Sequence, residues 1–197
     1  MKSDQEKGFV KQLKAGDPKA FARLVRENQD VVFGYLYRML NSRHEAEEVA
    51  QEVFIAAFRF MESFRGEGSL RTWLLRIASN MYKNKIRYNV RRRRAWETGF
   101  DDLIERPSHR PIGQRPDGPE QIAQRNELEV ALGKAIEALP EEFREVLVLR
   151  DIELHSYADI QIMTDLPQGT IKSRLHRARS HLAKLLGDQL EGEELKQ

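Results

Sequence analysis

Four of the seven prolines, Pro107, Pro111, Pro116 and Pro119, fall within thirteen residues. Proline has no backbone N–H and its ring collides with the preceding helical turn, so neither a helix nor a central strand can run through such a stretch. The prolines are mixed with Arg, Gln, Ser and Gly, and the stretch has too little apolar surface to offset the entropy of ordering. Residues 98–119 are therefore predicted to be a flexible linker, and the chain must fold as two pieces that each build a core. The boundaries are 1–97 and 120–187, with an acidic tail at 188–197 that carries Glu191, Glu193 and Glu194.

Both pieces show helical periodicity, and neither contains a credible run of strand-type alternation. A short helix over 5–15 stops at Gly16. Asp17-Pro18 supplies an N-cap followed by proline at the first helical position. The helix it opens runs to about Asn41, with Phe21, Leu24, Val25, Val32, Leu36, Met39 and Leu40 on one side. A third helix over 45–63 stacks Val49, Val53, Phe54, Ala57 and Met61. Two glycines break the pattern at 64–69, and Ser69 caps a long helix over 70–94 built on Leu70, Trp73, Leu74, Ile77, Ala78 and Met81. After the linker, Pro119 opens a helix whose inner face holds Leu128, Leu132, Ala135, Ile136 and Leu139. Pro140 ends it and opens the next, over 141–150. Ser156 and Asp159 resemble a capping box for a helix holding Tyr157, Ile160 and Met163. A turn at 164–167 leads to a last helix over 168–186. The fold class is all-α, with two small helical domains.

The net charge of +2 conceals a division. Residues 1–96 carry 20 Lys and Arg against 11 Asp and Glu, whereas residues 123–197 carry 10 against 14. A basic first half fits a polyanion partner; any nucleic-acid contact in the second must come from a local patch. The sequence contains no Cys, which excludes disulfides and thiolate chemistry. No apolar run is long enough to cross a bilayer, and the first residues lack a signal-peptide core, so the expected location is the cytoplasm, without membrane insertion.

The last helix is the most informative segment. Gln168–Lys184 contains no acidic residue but includes Lys172, Arg174, Arg177, Arg179 and Lys184. Ile171, Leu175, Ala178, Leu182 and Leu185 form its apolar stripe. Lys172, Ser173, His176 and Arg177 lie opposite, in the half of the helix where a major-groove recognition helix carries its base-reading groups. Gly169-Thr170 leaves backbone N–H groups for a phosphate. An ordinary surface helix is the alternative, but its polar face usually mixes both signs. The second basic feature is Lys83–Arg94, with seven cations in twelve residues and no acid. A solvated helix end would explain the charge alone. Trp73, Asn80, Tyr82 and Asn84 on the same helix add stacking and amide groups suited to unstacked bases, although Trp73 is also a natural core residue. The third feature is acidic: Glu45, Glu47, Glu48, Gln51 and Glu52 open the third helix, either stabilising its N-terminus or marking a protein partner. The five histidines do not cluster at ligand spacing, and there is no P-loop, dinucleotide-binding turn or H-E-x-x-H. Neither an enzyme nor a metal or cofactor is expected. A free-standing helix-turn-helix regulator would account for residues 156–186 alone.

Taken together, the chain resembles bacterial sigma factors of the extracytoplasmic-function (ECF) group over nearly its whole length. The resemblance rests on Ala15-Gly-Asp-Pro-Lys-Ala-Phe21, on Glu45-Ala-Glu-Glu-Val-Ala-Gln-Glu-Val-Phe54, on Ser63-Phe-Arg-Gly66 and on Thr72-Trp-Leu-Leu-Arg-Ile-Ala78. In the second piece it rests on Ala138-Leu-Pro-Glu141, Ser156-Tyr157 and Gly169-Thr-Ile-Lys-Ser-Arg-Leu-His-Arg-Ala-Arg179. It implies a promoter-specific initiation factor that works with RNA polymerase core, through its clamp and flap regions, and that is commonly held by an anti-sigma factor. Glu48, Gln51 and Glu52 would dock on the clamp. Phe64, Arg65, Ser69, Thr72, Trp73, Arg76, Asn80 and Lys83 would capture and hold the −10 element. Lys172, Ser173, His176 and Arg177 would read the −35 element, with Thr170, Arg174 and Arg179 on phosphates. The sequence departs from the family at His44, often acidic there, and at Gln161, often Ala, where the longer side chain must reach solvent or change the crossing of the last helix.

Overall fold

The computed structural model describes the backbone of residues 2–96 and 130–194, and side chains over 6–89 and 130–187. The expected linker, the start of the helix at Pro119, Leu128 and the side chains of Arg91–Arg94 lie outside these. The described residues are mostly helical and contain no strand. Helices α1 (Lys2–Lys14), α2 (Pro18–Leu40), α3 (Arg43–Arg59) and α4 (Leu70–Trp96) form the first half. The second consists of α5 (130–138), α6 (Glu141–Leu147), α7 (Tyr157–Thr164) and α8 (Gln168–Glu194).

Local chemistry sets most of the boundaries. Asp17 caps α2 by accepting from the Lys19 N–H at 2.8 Å, with Pro18 just inside. Asn41 ends α2 in the left-handed conformation, φ 53°, which an Asn tolerates better than most residues. Ser42 caps α3 two residues before the expected start, and α3 ends at Arg59, with a single 3₁₀ turn at Met61–Ser63 in place of its last turn. Ser69 caps α4 through the Thr72 N–H at 3.1 Å. Gly66 and Gly68 precede it at φ 78° and 83°, and a Cβ on Gly68 would stand 3.1 Å from Thr72 Cγ2 and 3.4 Å from Ile162 of α7. That position requires glycine both for its backbone conformation and for the close approach.

Four expectations need correction. Helix α6 stops at Leu147 and widens into a π turn over Val148–Ile152, in place of one helix to Arg150. Leu132, expected on the inner face of α5, is 38% exposed, because Ala135, Ile136 and Leu139 alone turn inward. Asp159 does not close a capping box in the usual way: its backbone N–H donates to Ser156 Oγ, but the Ser156 hydroxyl returns to Asp159 Oδ2 at 2.6 Å. The aspartate side chain is one methylene shorter than the glutamate of that motif and takes the nearby hydroxyl. Finally, α8 continues past Leu186 to Glu194.

The two halves share one core. Leu24, Tyr35, Leu36, Val53, Leu74, Leu75 and Ala78 of the first half belong to the same buried cluster as Val146, Leu149, Ile160, Met163 and Ile171 of the second. Helix α7 packs along α4, and α6 reaches α2. Arg144 fixes this junction by donating to three carbonyls, those of Met39, Glu137 and Leu139.

Candidate nucleic-acid interface

The last helix is divided as its sequence demands. Ile171, Leu175 and Ala178 are fully buried, and one turn apart on the opposite side Lys172, Ser173, His176 and Arg177 are exposed. His176 and Arg177 make no hydrogen bond or ion pair among the described residues, Lys172 sits 5.8 Å over the Tyr157 ring, and Ser173 donates back to the Thr170 carbonyl. Thr170 itself is half-buried in the first turn. The other two expected phosphate contacts are engaged within the protein. Arg179 forms a two-pronged pair with Asp151 at 2.7 and 3.0 Å, which raises the guanidinium pKa further, and Arg174 pairs with Glu142 at 2.9 Å. Gln161 reaches solvent, so the α7–α8 crossing does not have to accommodate it.

The long helix of the first half is in a different state. Thr72, Arg76, Ser79 and Lys83 recur at the spacing of one helix face, and each meets a carboxylate from the second half. Thr72 donates its hydroxyl to Asp159 at 3.1 Å, and Arg76 pairs with Asp165 at 3.1 Å. Ser79 donates to Glu145 Oε1 at 2.5 Å, and Lys83 reaches the same oxygen at 3.1 Å. Glu145 is 3% exposed and also accepts from the Tyr35 hydroxyl at 3.3 Å. A carboxylate buried this deeply is tolerated only with partners of this kind. Burial first, and the adjoining Glu145 carboxylate second, push the Tyr35 hydroxyl well above its usual pKa, so Tyr35 acts only as a neutral donor.

The remaining −10 candidates separate by burial. Phe64 is a core residue, 6% exposed, packed against the half-buried Trp73 with ring centroids 5.4 Å apart. Arg65, Ser69 and Asn80 are exposed.

On α3, Gln51 and Glu52 are exposed, whereas Glu48 is held by Lys85 at 3.3 Å and by His44 at 3.5 Å. The same face continues into Ile55 and Phe58, 52% and 55% exposed, with Phe60 beyond them at 60%. Sequence reasoning missed this apolar extension, although Ile55 stands four residues after Gln51 and so shares its face. Mixed acidic and apolar groups form a surface for a protein, not for a phosphate backbone.

Residues 24–93 match the family described as Sigma-70 region 2, and residues 129–182 match Sigma-70, region 4. The chain is 35% identical to the RNA polymerase sigma-H factor of Pseudomonas aeruginosa over 93% of this chain and 94% of that one. It belongs to the ECF group of sigma-70 factors. It is also 39% identical to the ECF RNA polymerase sigma-E factor of Haemophilus influenzae, covering 88% of this chain and 91% of that one. With the ECF sigma factor SigW of Bacillus subtilis the identity is 35%, over 91% and 95%. In fold, the sigma factor is similar to the RpoE chain of the co-crystal structure with the anti-sigma factor NepR from Bartonella quintana. There the TM-score is 0.69 at 24% identity, over 86% of this chain and 98% of that one. CnrH, in complex with the cytosolic domain of CnrY, gives a TM-score of 0.64 at 23% identity, over 93% and 97%. This sigma factor is a promoter-recognising transcription initiation factor.

Proposed function

We propose a division of labour in which the exposed face of α8 reads the −35 element, the 64–69 loop with α4 takes the −10 element, and the Gln51–Phe58 face of α3 docks on the clamp of RNA polymerase core. The observation that carries this reading is the segregation on α8. Its buried stripe fixes the helix so that Lys172, Ser173, His176 and Arg177 face outward together, with chemistry suited to guanine and phosphate edges. Residues 1–97 and 120–187 act as separate DNA-contacting units joined through 98–119. On α3, Gln51, Glu52 and Ile55 contribute more to docking than Glu48, whose charge Lys85 already opposes. On α4, Lys83, Arg76 and Asn80 contact the separated strand, with Phe64 and Trp73 supporting the loop from beneath.

The factor works in the cytoplasm and has no catalysis of its own; no described helix is long and apolar enough to cross a membrane. An anti-sigma factor is a further expected partner, in keeping with the complexes in which the two similar folds were solved. Run-off transcription with purified core polymerase is the direct test. Promoter-dependent product is expected only when the factor is added. Tight binding to duplex DNA as a dimer, with no effect on core, would overturn the assignment.

A further inference from the structure

The outer face of α8 treats its cations unequally. Lys172, His176 and Arg179 recur along that face at helical spacing, with Arg177 beside them. Lys172 lies over the Tyr157 ring at 5.8 Å, a contact that leaves its charge intact. His176 and Arg177 have no acidic partner among the described residues. Of these four, Arg179 alone is gripped by an acid: its Nε and a terminal amino group donate to the two oxygens of Asp151 at 3.0 and 2.7 Å. Asp151 is fixed in place for that contact. It leaves the π turn over Val148–Ile152, a local irregularity of a kind often found at functional sites. The residue before it pins the turn, because Arg150 donates to the His155 carbonyl at 2.7 Å and lies over the Tyr157 ring at 4.8 Å. The pair is not buried: 55% of the Arg179 side chain and 34% of the Asp151 side chain are exposed. Both therefore lie open to a DNA backbone that reaches this face.

We propose that Asp151 is a positioning residue that holds Arg179 off the DNA backbone, and so lowers the affinity of α8 for duplex of any sequence. The inference rests on the assignment of α8 to the −35 element. A carboxylate takes the guanidinium fork in the same two-pronged geometry as a phosphate, so Asp151 and the backbone exclude one another at Arg179. Phosphate contacts position a protein on DNA but carry no sequence information. The cations placed to read bases thus stay free, while the one at the end of the face is withheld from the backbone. Bulk DNA then holds the free factor less firmly, with no loss of −35 preference.

The test uses the full chain and a duplex of random sequence, read by fluorescence anisotropy across a salt series. Asp151→Asn is expected to raise affinity severalfold at low salt. It should also steepen the fall of log affinity with log salt by about 0.9, the slope of one added phosphate contact. Asp151→Glu keeps a carboxylate within reach of Arg179 and should return the wild-type affinity and slope. Removing a negative charge near DNA would help binding by itself, so the decisive arm is a double-mutant cycle. In an Arg179→Ala background, Asp151→Asn should produce neither the gain nor the steeper slope. A gain that survives without Arg179, or that Asp151→Glu shows in full, would overturn the positioning role. Arg177→Ala in the polymerase holoenzyme separates this inference from the reading it rests on. If −35 preference is lost there but Asp151→Asn is silent on random duplex, the role of Asp151 alone is wrong. If Arg177→Ala leaves that preference unchanged, it is the assignment of α8 that fails.

Discussion

Helices α4 and α8 have similar ingredients and opposite fates. Each carries cations on a face at helical spacing and an apolar stripe packed into the shared core. On α8 the face points to solvent, and its two engaged arginines, Arg174 and Arg179, are paired with acids of the same half. On α4 the face is covered from the other half, and its partners are separated from it by 62 to 89 residues of sequence. A cationic helix face therefore does not by itself predict an open binding surface; what matters is where the acids that could answer it are delivered.

The comparison can be broken or sharpened in four ways. The largest effect should come from the buried side of α8. Leu175→Ala removes a side chain that is 1% exposed, and is expected to lower stability by roughly 3 kcal/mol in a denaturant titration. A loss under about 1 kcal/mol would mean that α8 is not fixed by its stripe. Next, Arg177→Ala in the holoenzyme should cost roughly 1–3 kcal/mol of promoter affinity, confined to −35 sequence variants. Arg179→Ala should cost less and equally on all sequences, since its guanidinium is already held by Asp151. If the two variants behave alike in a competition gel shift, the division of the α8 face into reading and paired groups is mistaken.

The third concerns pH at the junction. Burial lowers the pKa of His155 below its ordinary 6.5, outweighing the nearby Asp159 carboxylate. The unfolded chain then takes up a proton at higher pH than the folded one. Stability tied to His155 is complete above about pH 6.5 and falls as the pH drops from there through the folded value. Melting followed between roughly pH 7.5 and 5.5 should show this decline, and His155→Gln should flatten it. An unchanged slope would assign the pH response elsewhere. The smallest effect is expected at Leu154, which follows the π turn at φ 57° with 79% of its surface exposed. A leucine pays a steric penalty there that glycine avoids, so Leu154→Gly should stabilise by roughly 0.5–1 kcal/mol. A drop in the denaturation midpoint would indicate that Leu154 makes a contact worth keeping.

What could be read in the sequence was what depends on neighbours along the chain. Asp17-Pro18, Ser69 and Ser156 announced helix starts because a cap acts within three residues. The α8 face was legible because both its apolar stripe and its lack of acids are local. Docking between halves was not. Glu145 reads as a surface residue of a short amphipathic helix until Tyr35, Ser79 and Lys83 converge on it from elsewhere. Asp159 was visible as a cap and invisible as the partner of Thr72. Phe64 looked like a base-capturing aromatic, and its burial follows from the return of the loop over Trp73. Leu132 misled in the opposite direction, since the apolar face of α5 is narrower than its leucines suggest.

The shared core has a consequence for how this sigma factor comes apart. Because Leu74 and Leu75 are buried in the same cluster as Ile160 and Ile171, heat should melt the closed molecule as a single cooperative unit. Once the halves have separated, each keeps only its own share of that cluster and answers to its own melting temperature. The number of calorimetric transitions thus becomes a count of how many folding units the molecule contains at that moment, and with it a reporter of closure that needs neither DNA nor polymerase.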